Sequence, residues 1–249
     1  MDPLILVAGA GVAAGAMNAL AGGGSFVSLP ALIAAGVPPV LANTSSTVAL
    51  YPGGMASAWA YRDGLAGVAD VDLRPLLAVT LLGGVAGAFL LLHTSTRAFD
   101  AVLPWLLLVA ACALGFGRRI GEWMRARWRV RPAVVLGLQF GLGIYGGYFG
   151  GAVGIMMMAV WGLLGSHDIK SMHPPRTLMV TAANTMAVLI FIAAGAVQWR
   201  ETLVMLIAAS LGGYGGALLG KRIPAPLVRA GTLLLTACIT VAFFVRAYG

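Results

Sequence analysis

Pro75-Leu76-Leu77-Ala78-Val79-Thr80-Leu81-Leu82-Gly83-Gly84-Val85-Ala86-Gly87-Ala88-Phe89-Leu90-Leu91-Leu92 carries no charged side chain over about five helical turns. A hydrocarbon core of ~30 Å takes roughly 20 helical residues to cross, so this stretch suits lipid rather than water. Outward from it, charge-free runs of similar length recur at Leu4 to Leu20, Asn43 to Tyr61, Ala101 to Phe116, Ala133 to Phe149, Thr177 to Val197, Thr202 to Leu219 and Ala230 to Val245. Two shorter apolar segments, Phe26 to Ala35 and Ile155 to Leu164, each follow a glycine cluster. They are too short to cross comfortably alone and are expected as half-helices or re-entrant pieces. None of the runs alternates polar and apolar residues as the strands of an outer-membrane barrel do. The 249-residue chain is 60% apolar and 10% charged, with a mean hydropathy of +0.93. An all-α, polytopic integral membrane protein of about 8–10 segments is therefore expected.

The net charge of +8 invites a nucleic-acid reading. Six of the sixteen basic residues, however, crowd between two hydrophobic spans: Arg118, Arg119, Arg125, Arg127, Arg129 and Arg131. Dense positive charge in that position marks a cytoplasmic loop, because basic residues resist translocation, and no nucleic-acid partner is needed to explain it. This loop, 118–132, separates a first transmembrane repeat, 1–117, from a second, 133–249. Met1-Asp2-Pro3 lacks the basic start of a cleavable signal, so the first apolar segment is expected to stay. Cys112 and Cys238 sit inside apolar spans, match no metal-ligand spacing and read as small core residues. No metal site and no cofactor are expected.

The two repeats answer each other. Gly83-Gly84-Val85-Ala86-Gly87-Ala88-Phe89-Leu90 matches Gly212-Gly213-Tyr214-Gly215-Gly216-Ala217-Leu218-Leu219, Ala111-Cys112 matches Ala237-Cys238, and Asp63-Gly64 stands where Ala194-Gly195 does. Small residues at four-residue spacing let helices approach closely in lipid. Matching loops differ in charge. Gly36 to Ala42 has none, while Ser166 to Arg176 holds Lys170 and Arg176 against Asp168. His93 to Asp100 has Arg97 against Asp100, while Gly220 to Arg229 has Lys221, Arg222 and Arg229. Opposite sidedness of matching loops predicts an inverted repeat with about five segments per half; a parallel repeat of four crossings remains the alternative if the short segments do not cross.

Irregular backbone at membrane depth survives only when buried in protein or lining a wet cavity. Gly22-Gly23-Gly24-Ser25, flanked by Asn18, opens one short segment, and Gly150-Gly151-Ala152-Val153-Gly154 opens the other. Helix starts there would present free amides and a positive dipole end, a ready anion site, or the glycines serve only close packing. Asn43-Thr44-Ser45, after the turn Pro38-Pro39, either cap a helix or donate to an oxyanion. Arg176, after Pro174-Pro175 and before Thr177, is either an interfacial anchor or a guanidinium fork for an anion; Thr181 and Asn184 follow it. His167 and His173 are ambiguous in the same way. All eight acidic residues lie at or near span ends or in loops. That argues against a metal-cation carrier, which usually needs a carboxylate within the membrane. An intramembrane enzyme would need a nucleophile with a base beside it, and Ser25 and Ser45 have neither in sequence; no Walker phosphate loop is present.

The run Asn18 to Leu32, followed by Gly36-Val37-Pro38-Pro39, Ala42 to Ser45 and Pro52-Gly53, resembles the TauE/SafE family of sulfite exporters. The second-half copy is looser, with Pro174 to Thr177 standing where Asn43 to Ser46 do. The resemblance implies transport of a small sulfur-containing anion, such as sulfite or a sulfonate, across the bacterial inner membrane. It implies a substrate region at Gly22, Gly23, Gly24 and Ser25, at Asn43, Thr44 and Ser45, and at Gly150, Gly151, Gly154, Pro175, Arg176 and Thr177. Together with Asn18, these are the expected site residues. The expected function is alternating-access secondary transport rather than catalysis, with membrane lipid and a small anion as partners. An anion channel is the nearest alternative, and a coupling ion and a homo-oligomer are left open.

Overall fold

The computed structural model describes residues 2–68, 71–125, 131–151, 153–164, 169–220 and 224–249. Ten α-helices account for nearly all of them: α1 (Pro3–Ala21), α2 (Ser25–Ala34), α3 (Pro39–Ala60), α4 (Leu73–Leu92), α5 (Thr96–Arg125), α6 (Pro132–Phe149), α7 (Val153–Leu164), α8 (Ile169–Ala193), α9 (Trp199–Gly220) and α10 (Ala225–Tyr248). Seven of them are long and apolar enough to cross a bilayer. Large apolar side chains such as Leu211, Leu234 and Val245 point outward, each about two-thirds exposed, as a lipid-facing surface requires and a water-facing one does not. The chain is an all-α, multi-pass membrane protein.

Helix α3 is not among those seven. Its 22 residues are long enough, at roughly 33 Å, but Asn43 to Thr47 make it polar. All five side chains are buried, so the polarity faces protein, the one place in a bilayer where it is tolerated.

Helices α1 to α5 and α6 to α10 repeat one plan: a long helix, a short one, then three long ones. Their contacts exchange accordingly, α1 packing on α9 as α6 packs on α4. The equivalent pair α3 and α8 runs antiparallel, with Tyr51 against Thr185, Gly54 against Thr181 and Ser45 against Gln198, just beyond α8. The other equivalent pair, α5 and α10, does the same: Asp100 pairs with Arg246 at 3.4 Å, while Leu233 lies beside Gly115. Equivalent helices that meet antiparallel are related by an axis across the helices, which is the inverted arrangement the loop charges predict.

Close approach within each half-to-half pair depends on glycine. A Cβ on Gly87 would run into the Ile144 carbonyl, and one on Gly147 into the Gly84 carbonyl. Across the pseudo-axis, a Cβ on Gly212 would strike Val12, and one on Gly15 would strike Ala209. Without a hydrophobic drive between helices in lipid, such backbone contact is the main source of cohesion.

Three expectations need correction. The segment 118–132 is not a loop throughout, because α5 continues to Arg125 before α6 opens at Pro132. Cys112 and Cys238 are exposed on the outer surface rather than in the core. Helix α8 starts at Ile169, well before Thr177, so Pro174 and Pro175 lie inside it and withdraw two amide donors from its second turn. Ala152, His167, Asp168, Arg127, Arg129, Lys221 and Arg222 lie outside the described residues.

Inversion predicts a labelling result. On a background lacking Cys112 and Cys238, Ser95→Cys and Pro224→Cys occupy equivalent turns and are expected to react with an impermeant maleimide from opposite faces of the membrane. Labelling of both from one face would exclude the inverted arrangement.

Candidate anion site

Two helix breaks converge. Gly22 ends α1 with φ 78° and Gly150 ends α6 with φ 69°, a left-handed conformation that favours glycine. The next helices, α2 and α7, start within three residues. In the first turn of α2, Phe26, Val27 and Ser28 donate to Gly23 and Gly24, leaving the amides of Gly24 and Ser25 outside that turn's own bonds. The two breaks touch: a Cβ on Gly151 would lie 3.1 Å from that of Ser25. Each short helix is pinned by buried side chains, Phe26, Leu29 and Leu32 on α2 and Ile155, Met157 and Trp161 on α7. Trp161 donates to Gln139 Oε1 at 2.9 Å, and Gln139 donates to Thr80 at 2.7 Å, tying α7 to α6 and α4.

A cavity of about 500 Å³ opens at this convergence. Of the expected site residues, Asn18, Gly22, Ser25, Gly150, Gly154, Arg176 and Thr177 line it. Arg176 is its cation, with His173 beside it, and among the described residues no carboxylate lines it. Arg176 Nε is buried without a hydrogen-bond partner, an unfavourable state for a charged donor unless a ligand supplies the acceptor. The first turn of α7 comes right up to it: a Cβ on Gly154 would sit 3.7 Å from Arg176 Cδ and 3.8 Å from Nε. Guanidinium, helix dipole and free amides therefore point into one volume of positive potential. The hydroxyl of Ser25 and the amide of Asn18 make no hydrogen bond among the described residues, so both are available to a ligand.

The remaining expected residues do other work. Asn43 donates to the Tyr148 carbonyl at 2.9 Å, Thr44 to the Ala196 carbonyl, and Ser45 accepts from the Gln198 amide at 2.9 Å. All three are buried away from the cavity wall and stitch α3 to the other half. They are not caps either, since α3 begins at Pro39. Gly23 and Gly24 are packing glycines, facing Met17 and Phe26 in one case and the Ala14 carbonyl in the other. Gly151 abuts Phe149, and Pro175 is buried outside the wall. Thr177 reaches the wall but donates back to His173 at 2.9 Å.

Sequence reasoning passed over part of the wall. Thr181 and Asn184, noted in the sequence but not placed in the site, extend it along α8 together with Val180, and Gly54, Ser57 and Tyr61, which were not singled out, extend it along α3. Asn184 is notable because its Oδ1 is buried without a partner. Arg176, Val180 and Asn184 recur every fourth residue, the spacing of one helix face, and that signal was present in the sequence. Tyr61, His173 and Ala217 place the mouth where α3 and α9 end and α8 begins. Helices α4 and α6 run parallel to α8, with Thr80 and Gly84 against Met179 and Ala183, so α6 also begins at the mouth. Arg131, which precedes Pro132, is therefore on the mouth side. The opposite end is closed by the Thr44 and Ser45 bonds and by Ser28 with Ser46 at 2.6 Å.

An inverted-repeat helical membrane protein with broken helices around a one-sided polar cavity has the build of a membrane transporter. The chain matches the family described as "Sulfite exporter TauE/SafE" over residues 7–243, and it belongs to that family. It is 29% identical over 245 residues to a probable membrane transporter protein of Haemophilus influenzae, covering 95% of this chain and 94% of that one. It is 28% identical to the probable membrane transporter protein YfcA of Escherichia coli K12, covering 95% and 87%. Identity to the probable membrane transporter protein ORF9 of a Sinorhizobium species is 30% over 214 residues, covering 84% and 78%. No solved structure matches the chain.

The stitching role of α3 predicts that Thr44→Val with Ser45→Ala lowers stability by roughly 1–2 kcal/mol. That corresponds to a fall of about 2–8 °C in the melting temperature of the detergent-solubilised protein. An unchanged melting temperature would show that these bonds contribute nothing to closing that end.

Proposed function

We propose that the protein is a secondary transporter that moves a small sulfur-containing anion across the bacterial inner membrane by alternating access. The observation that carries this reading is the buried, partnerless Arg176 Nε beside the α7 start, in a cavity that no carboxylate lines among the described residues. A sulfite or sulfonate group offers three oxygen acceptors in a compact fan. It would take the guanidinium on one edge and the amides and hydroxyl at the α2 start on another. The family supports sulfur chemistry over other oxyanions, and the names of the relatives support a membrane transporter.

The open mouth on the side where α6 begins, next to Arg131, suits a state that faces the cytoplasm. The inverted halves supply the other state: exchanging their roles would close the mouth between the start of α8 and the α3–α4 connection, where Gly64 already meets Pro174. It would open the Thr44 and Ser45 end. The substrate would stay near the midplane while one half rocks against the other.

Arg176→Gln is expected to weaken saturable sulfite counterflow in proteoliposomes at least about tenfold, the loss of a charge-assisted contact. Gly154→Leu should abolish it by filling the space beside Arg176. Gly137→Leu, at a position with nothing within 4 Å, should leave it intact. Full activity in the Arg176 and Gly154 variants would reduce both residues to packing. Flux that never saturates would indicate a channel.

A further inference from the structure

The anion cavity does not end at the broken helices. A second compartment of about 370 Å³ lies between α1, α3 and α9, and it shares Asn18, Ala19, Leu50, Ser57 and Ala217 with the first. The chemistry changes across that shared wall. Arg176 and His173 border only the first compartment. The second is bordered by small residues such as Gly15, Ala49, Gly53 and Ala209, and among the described residues no charged side chain lines it. Its two serine hydroxyls are already engaged, Ser57 donating to the Gly53 carbonyl and Ser210 to the Leu206 carbonyl, each at 2.8 Å, and the Tyr214 side chain that also borders it is largely exposed on the outer surface. The free side-chain amide of Asn18 stands at the junction, where the wall turns from polar to mostly apolar.

From this gradient we infer that the α1–α3–α9 compartment is a selectivity subsite. It receives the uncharged organic substituent of an anion whose charged head sits by Arg176, and Gly53 keeps it open. The inference rests on the anion reading above and adds which anions the site prefers. A bare inorganic oxyanion gains little from the second compartment, because each face of the ion needs donors and this wall offers only Asn18 at the junction and the exposed Tyr214 hydroxyl. A short alkyl or hydroxyalkyl group loses water on entering and gains apolar contact. Small residues are what such a subsite requires, since they leave the volume unfilled. Gly53 borders the compartment and a Cβ there would meet nothing within 4 Å, so a larger side chain can take up space at its wall without straining the backbone.

Counterflow in proteoliposomes with sulfite, methanesulfonate, ethanesulfonate and propane-1-sulfonate tests this. In the wild type, apparent affinity is expected to rise along the sulfonate series, by about twofold or more per added methylene. Gly53→Leu should lower the ratio of propanesulfonate to sulfite rates at least tenfold, with Gly53→Ala intermediate. A wild-type affinity that falls with chain length would overturn the subsite. So would a ratio unmoved by Gly53→Leu, the outcome expected if a lipid chain fills the space. Failure of the underlying anion reading looks different: all four probes would be unaffected by Arg176→Gln, and the subsite would fall with it.

Discussion

A bilayer offers no hydrogen bonds to a peptide group, and this structure is organised around the two places where the chain breaks its helices regardless. At Gly22 and Gly150 the backbone turns left-handed and amides lose their intrahelical partners. In hydrocarbon each orphan would cost several kcal/mol. The fold meets that demand by bringing both breaks to the inside, against each other and against α3 and α8. What results is a polar volume near the middle of an otherwise apolar protein.

Bringing the breaks together in turn depends on how closely the outer helices approach. Glycines on α4, α6, α9 and α1 let paired backbones touch, drawing α1 and α6 inward so that their broken ends meet. The same inversion that repeats this packing makes α3 and α8 antiparallel neighbours. One contributes a polar start that seals an end, and the other contributes Arg176 to the cavity beside the α7 start. The halves are alike in backbone and unlike in side chains, which is how a symmetric scaffold can hold an asymmetric state.

Much of this was legible in the sequence. The length of charge-free runs located nearly every helix, because lipid penalises charge far more strongly than it discriminates among apolar residues. Loop charge forecast the inversion, and glycine clusters before short apolar segments marked the breaks. What local reading missed were the partners of polar residues. Asn43, Thr44 and Ser45 have the composition of an anion site, yet their acceptors and donors, at Tyr148, Ala196 and Gln198, lie more than 100 positions away in the chain. Gly23 and Gly24 resembled a ligand cradle but face Met17, Phe26 and α1. The charge-free run begins only after Arg176, so it missed the first turns of α8, which start at Ile169 and contain Lys170 and both prolines.

The central claim is that one anion is held jointly by Arg176 and the starts of α2 and α7. Selenite has the shape and charge of sulfite and carries an anomalous scatterer, so diffraction from crystals soaked in it locates the anion directly. The account predicts an anomalous peak inside the cavity, with selenite oxygens about 3 Å from the Arg176 guanidinium and the amides near Ser25. Selenium found only along the basic segment, with the cavity empty at saturating selenite, would contradict it.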